Sequence, residues 1–149
     1  MSIKVDIISQ SGNRYAIESA QNIAHNTKRG IERSLFFVGK QLKAEFNKQV
    51  LAKDKTGRLY IRKAKNGARR RHIASAAGET PANRTGNYRW AIGAKISGNE
   101  LAFGNAAEYA GFLEFGTSKM KPRPGLANSI KAQERNILKT LADNIESAI

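Results

Sequence analysis

The chain of 149 residues contains no cysteine. Disulfide bonds and thiolate metal sites are thereby excluded, and the composition fits a reducing compartment. Acidic residues are scarce: 12 Asp and Glu stand against 26 Lys and Arg, for a net charge of +14. Histidine occurs only at His25 and His72, with no second His and no paired carboxylate at metal-ligand spacing. No run of about 18 apolar residues is present, so no membrane-spanning helix and no membrane partner are expected. The opening Met-Ser-Ile-Lys-Val-Asp lacks the apolar region of a secretory signal, so secretion is not indicated.

Catalytic patterns are equally sparse. Gly111 and Gly116 have the spacing of phosphate-loop glycines, but Thr117 stands where a lysine must reach the phosphates, and the residues between them are largely apolar. Glu108 and Glu114, six apart, set no acid–base geometry. No Ser/His/Asp arrangement can be argued. The sequence therefore predicts a protein that is not an enzyme and carries no cofactor or metal.

What the chain does have is length for one domain spanning 1–149, with an apolar share of 40% for a modest core. Ile3, Val5 and Ile7 alternate with polar residues and predict a short strand. Ile17, Ala20, Ala24, Thr27, Ile31, Leu35, Val38, Leu42, Phe46 and Val50 recur at steps of three or four, the stripe of one long helix. It would span about 50 Å at about 1.5 Å per residue, with a kink or break expected near Thr27–Gly30. A helix of that length exceeds what a small sheet covers, so part of its stripe is expected to face another subunit. Arg58–Lys63 and Arg69–Ala74 flank Asn66-Gly67, a strong hairpin signal. Ser75–Gly86 reads as a loop with little core of its own. Tyr88–Ile96 alternates as a strand, Ser97–Glu100 as a turn, and Leu101–Phe103 as the partner strand. Leu126, Ile130, Ile137, Leu141 and Ile145, flanked by Leu138 and Ala142, mark an amphipathic C-terminal helix. The fold class predicted is α+β: a long N-terminal and a C-terminal helix packed on a small, mostly antiparallel sheet, with a protruding basic β-hairpin.

The charge is concentrated. Between Lys53 and Lys95 twelve Lys and Arg meet only Asp54 and Glu79, which places +10 of the total +14 in this stretch. A two-stranded hairpin is marginal in water, and one this basic calls for an anionic surface or a neighbouring chain. Arg69-Arg70-Arg71, with Tyr60 and His72 nearby, could meet phosphate backbones or clamp carboxylates on adjacent subunits. Charge by itself weighs the two options about evenly.

The remaining signal lies in Glu108–Ile130. Tyr109, Phe112, Leu113 and Phe115 form an apolar cluster interrupted by Glu114, and Gly116 ends the run. Lys119-Met-Lys-Pro-Arg-Pro follows as an extended, semi-rigid basic arm, and a helix begins near Gly125. Phe112 and Phe115 are expected to be largely buried between turns at Gly111 and Gly116. Glu114 is expected to meet a basic neighbour.

The string from Tyr109 through Glu114-Phe-Gly-Thr to Met120, followed by Arg123-Pro124, resembles the signature of tailed-phage head–tail joining proteins, the neck, minor tail or tail-completion family. Ala74–Arg89, with its Gly-Glu-Thr-Pro-Ala and Thr-Gly-Asn-Tyr segments, and Thr56-Gly-Arg-Leu-Tyr resemble two further stretches in the same order, so that the likeness spans roughly 30–130. Gly125 departs from the aromatic residue that many relatives carry. The resemblance implies a structural virion protein of the head–tail junction of a long-tailed phage or prophage, present in host cytoplasm during assembly. It would form a homo-oligomeric ring, by resemblance a hexamer, that meets head-connector and tail proteins and lets genome DNA pass with at most weak, non-specific contact. The alternative is a small basic nucleic-acid-binding protein, a regulator or packaging factor. Under the ring reading, the basic arm at about 53–87 and the 119–123 segment would supply interface residues Arg58, Arg62, Lys63, Arg69, Arg70, Arg71, Lys119, Lys121 and Arg123, with Glu114 opposite. Tyr109, Phe112, Phe115, Gly116 and Pro124 would form the structural anchor.

Overall fold

The computed structural model describes the backbone of residues 14–147 and side chains from residue 18 onward. The strand expected at Ile3–Ile7 lies outside the described residues. The first element, α1, runs without interruption over Arg14–Leu51, 38 residues, or about 57 Å. It passes through Thr27–Gly30, where a kink or break was expected. The Thr27 hydroxyl donates to the Ile23 carbonyl and the buried Ser34 hydroxyl to the Gly30 carbonyl, each at 2.8 Å. Both bonds stay within the helical turn, so the polar side chains do not pull the backbone out of it.

The buried positions of α1 are Gly30, Ser34, Val38, Gly39, Leu42, Phe46 and Val50. Apart from Gly39 they recur every fourth residue, and such a line drifts about 40° per step around the helix. Two different partners cover it. The C-terminal helix α4, Leu126–Glu146, lies antiparallel to α1: Gln133 Nε2 donates to Glu45 Oε2 at 3.1 Å, and Gln41 Nε2 to Thr140 Oγ1 at 3.0 Å. An antiparallel ladder of β3, Ile92–Ser97, and β4, Glu100–Asn105, meets α1 at Gly39, where an added Cβ would stand 3.3 Å from the Ala94 Cβ. Residues 18–26 of α1 extend past this cover and are exposed throughout.

The strands do not form one sheet. They make two separate two-stranded antiparallel ladders. In the first, β1, Leu59–Lys63, pairs with β2, Arg69–Ile73, through Leu59↔Ile73, Tyr60↔His72, Ile61↔Arg71, Arg62↔Arg70 and Lys63↔Arg69. The chain reverses between them over Lys65–Gly67. Gly67 N–H donates to the Ala64 carbonyl at 2.9 Å, Ala64 N–H to the Ala68 carbonyl at 2.8 Å, and Gly67 has φ +80°. Among the described residues no non-glycine residue has positive φ. The reversal is therefore a three-residue connection with its left-handed residue at Gly67, rather than the two-residue turn that needs positive φ at Asn66 as well.

The expected strand Tyr88–Ile96 begins late. Asn87–Trp90 forms a single helical turn, α2, and only Ile92 onward is extended. Gly86, at φ +89°, turns the chain into α2, and its carbonyl accepts from Trp90 N–H at 2.9 Å. Asn105 Nδ2 then donates to the Tyr88 carbonyl at 2.6 Å. Tertiary contact thus holds Tyr88 in a turn that alternation alone would have made a strand.

The core sits at the C-terminal end of α1. Phe46, Val50, Tyr88, Ile92 and Ala110 are buried together, with Phe103, Ala107, Leu113 and Leu126 packed around them. The Phe46 ring lies 5.2 Å from Tyr88 and 6.4 Å from Phe103. Gly125 closes this cluster: a Cβ there would stand 2.5 Å from the Tyr88 hydroxyl and 3.0 Å from Phe46 Cε2. The place that an aromatic side chain would take is filled here by Phe46 and Tyr88. Two residues expected in the α4 stripe, Ile130 and Leu138, are exposed. The covered positions include Leu126, Ser129, Gln133, Ile137, Thr140, Leu141 and Ile145, and Leu138 lies about 120° round from Leu126.

Candidate functional site

Within Glu108–Ile130 the chain first forms a short helix, α3, over Ala110–Phe115. Ala110 is buried and Leu113 packs on the core. Residues three apart share a helix face, so Phe112 and Phe115 point the other way. They are 61% and 81% exposed, which corrects the expectation of burial. With only six residues, α3 has one inward face, and the two small or aliphatic side chains occupy it. Tyr109, just before the helix, stacks on Tyr88 at 6.3 Å and is itself partly exposed. Of the expected anchor, Gly116 keeps its turn, with φ +78° and no room for a Cβ beside the Met120 carbonyl. Pro124 is half-buried.

The Glu114 carboxylate is engaged within the chain. Its Oε2 accepts from Gly125 N–H at 2.8 Å and Leu126 N–H at 3.1 Å, and its Oε1 from Ala127 N–H at 2.8 Å. These are the unsatisfied donors that open a helix, and a carboxylate there also meets the positive end of the helix dipole. The motif glutamate thus caps α4 from α3. The Tyr88 hydroxyl is held above its ordinary pKa, first by burial, then by the Glu114 charge and by Tyr109, and stays protonated at neutral pH.

The segment after Gly116 is likewise tied down rather than standing as an arm. Thr117 and Met120 close a tight bridge, Arg123 N–H donates to the Leu113 carbonyl at 2.7 Å, and the Pro122 carbonyl accepts from Gly78 N–H at 2.8 Å. The loop from Ser75 to Gly86 is anchored in turn. Glu79 accepts from Thr56 and from Ala76 N–H, and these bonds hold its carboxyl below the usual range, Thr56 contributing most. Thr80 Oγ1 donates to Gln49 Oε1 at 2.8 Å, and Asn83 N–H to the Val50 carbonyl at 3.2 Å.

Between the β1–β2 ladder and this anchored loop lies a groove of about 760 Å³. Arg62, Lys63, Arg70, Arg71 and His72 line it from the ladder, with Tyr60, and Arg84 and Arg123 line it from the opposite loops. No carboxylate is among its lining residues. A second hollow of about 440 Å³ shares His72, Asn83, Arg84 and Arg123 with it and reaches Tyr88 and Tyr109. Five of the sequence-predicted interface residues are thereby brought together: Arg62, Lys63, Arg70, Arg71 and Arg123. Arg58, which lies over the Tyr60 ring at 5.5 Å, is not among the lining residues, nor are Arg69, Lys119, Lys121 and Glu114. Arg84 belongs to the groove but was not singled out, because its place depends on a loop fold that no periodicity encodes.

Within the ladder Arg62 stands directly opposite Arg70, and Lys63 opposite Arg69, pairings of like charge that destabilise a sheet. Among the described residues the one side-chain ion pair is Lys48 with Glu45, at 3.7 Å. The described residues hold no cluster of three or more His, Cys, Asp or Glu placed to bind a metal, and no described helix is long and apolar enough to cross a membrane. Compared with protein-family models, curated proteins and solved structures, the chain has no significant match to any.

Proposed function

We propose that this chain is a structural protein of the head–tail junction of a long-tailed phage or prophage, working as one subunit of a ring through which the genome passes. The observation that carries this reading is the outward face of α3. Phe112 and Phe115, inside the very stretch that resembles the neck family, are 61% and 81% exposed. Two neighbouring phenylalanines held in water on a short helix that is tied to α4 through Glu114 are unfavourable for a monomer and suited to a subunit interface, where aromatic residues are enriched.

The whole surface supports the same reading. The accessible area is 11540 Å² for 16.4 kDa, against about 7,500 Å² for a compact monomer of that mass. Subtracting the largest area that the fifteen residues outside 14–147 could contribute, about 2,400 Å², still leaves a surplus. Exposed Phe36, Phe37, Trp90 and Leu138 add apolar surface elsewhere. Patches at different places on one subunit suit head-to-tail contacts, which close into rings when the rotation allows.

Mass measurement and electron microscopy of the purified protein, alone and mixed with head-connector and tail components, test the proposal. A closed ring is expected in at least one mixture. The double variant Phe112→Ala/Phe115→Ala should keep its melting temperature and lose the ring. Strictly monomeric behaviour with no binding to either component would overturn it.

A further inference from the structure

We infer that the groove between the β1–β2 ladder and the loops carrying Arg84 and Arg123 is a binding site for a phosphodiester backbone. Four separate segments converge on it, each delivering guanidinium or ammonium groups, and none delivers a carboxylate. The two described carboxylates nearest in sequence to the groove's loops are already engaged. Glu79 is bound by Thr56 and Ala76, and Glu114 by the start of α4. Among the described residues the fold therefore assembles cations that have no carboxylate partner, and it tolerates the Arg62–Arg70 juxtaposition to do so. An external anion with several charges in a row relieves that repulsion.

The ring side chains decide between a nucleic acid and an acidic protein. Tyr60 and His72 are cross-strand partners, on the same face as Arg62 and Arg70 because alternate strand residues share a face. Both line the groove. Carboxylates need cations alone, whereas a groove of cations with aromatic rings set among them suits backbone phosphates and the bases they carry. The described residues hold no base-reading module, so the binding is independent of sequence and strongly salt-dependent. The site rests on the groove alone and stands whether or not the ring reading holds; in a ring it would be a contact with the passing genome.

The test is fluorescence anisotropy of the full-length protein with labelled duplex and single-stranded DNA of random sequence, titrated with salt. For duplex, log affinity should fall linearly with log salt at a slope of about −3 to −5, the range for roughly four to six phosphates met. Arg70→Ala/Arg84→Ala should make the slope shallower by about 2, while the α4 surface pair Lys131→Ala/Lys139→Ala leaves it unchanged. Arg70→Lys/Arg84→Lys, which keeps the charge, should restore most of the slope. Weaker binding to duplex than to single strand would locate the preferred source in exposed bases stacked on Tyr60. Absence of DNA binding even at low salt, equal loss in the α4 control pair, or displacement of DNA by polyglutamate of matched charge at equal potency would overturn the assignment, the last in favour of an acidic protein partner.

Discussion

Gly125 shows how one residue can hold the core closed. Its missing side chain lets the Tyr88 hydroxyl and the Phe46 ring approach the start of α4. In Gly125→Ala a Cβ would meet both at 3.0 Å or less, and both are held by the close-packed core. Overpacking of this kind costs about 1–3 kcal/mol, so the melting temperature should fall measurably in a thermal unfolding experiment. Phe115 is the reverse case. It is large and aromatic but lies in solvent in the single chain, so Phe115→Ala should change stability by no more than about 0.5 kcal/mol. A loss of several kcal/mol would show that the ring is packed after all.

At the level of elements, α3 and α4 are coupled through one carboxylate. Glu114 satisfies three backbone donors at the start of α4, a role that the capping residue of an isolated helix fills from within its own chain segment. The neighbouring Gly116 and the Thr117–Met120 bridge bring the two helices to that geometry. Glu114→Ala should destabilise the protein by about 0.5–2 kcal/mol, the range for loss of a helix cap. Glu114→Gln keeps an acceptor oxygen and should recover part of that loss, as denaturant titration of both variants would show. Equal stability of wild type and Glu114→Ala would mean that water replaces the cap without cost.

For the molecule as a whole, pH acts through the carboxylates that the fold has engaged. Glu79 and Glu45 both titrate below their ordinary value, Glu79 chiefly through Thr56 and Glu45 chiefly through Gln49. A carboxyl whose folded pKa is depressed contributes stability above its unfolded pKa and loses it as pH falls toward the folded one. The melting temperature should therefore hold near neutrality and decline as pH drops below about 4.5, the ordinary value of both groups. Glu79→Gln should flatten that decline; a decline of unchanged size would assign it to other carboxylates. The excess of positive charge works in the same direction, since protonating the few carboxylates adds to self-repulsion.

Much of this architecture was legible in the sequence. Two amphipathic helices, two pairs of short strands and the concentration of charge follow from local regularities: period 3.6, period 2, glycine turns and the count of Lys against Asp and Glu. Those features depend on neighbours in the chain, which a sequence displays directly. Tertiary structure decided everything that depends on which face of a short element is covered. Six residues of α3 are too few for periodicity to tell inside from outside, so Phe112 and Phe115 could be assigned only once Ala110 and Leu113 were seen against the core. Tyr88 was drawn out of its alternating pattern by a hydrogen bond from Asn105, seventeen residues away. Glu114 found its partners at the start of α4, and Arg84 and Arg123 reached the groove because two loops are pinned to α1, α3 and each other. Such contacts are fixed by chain crossings distant in sequence, and no local pattern of residue types carries them.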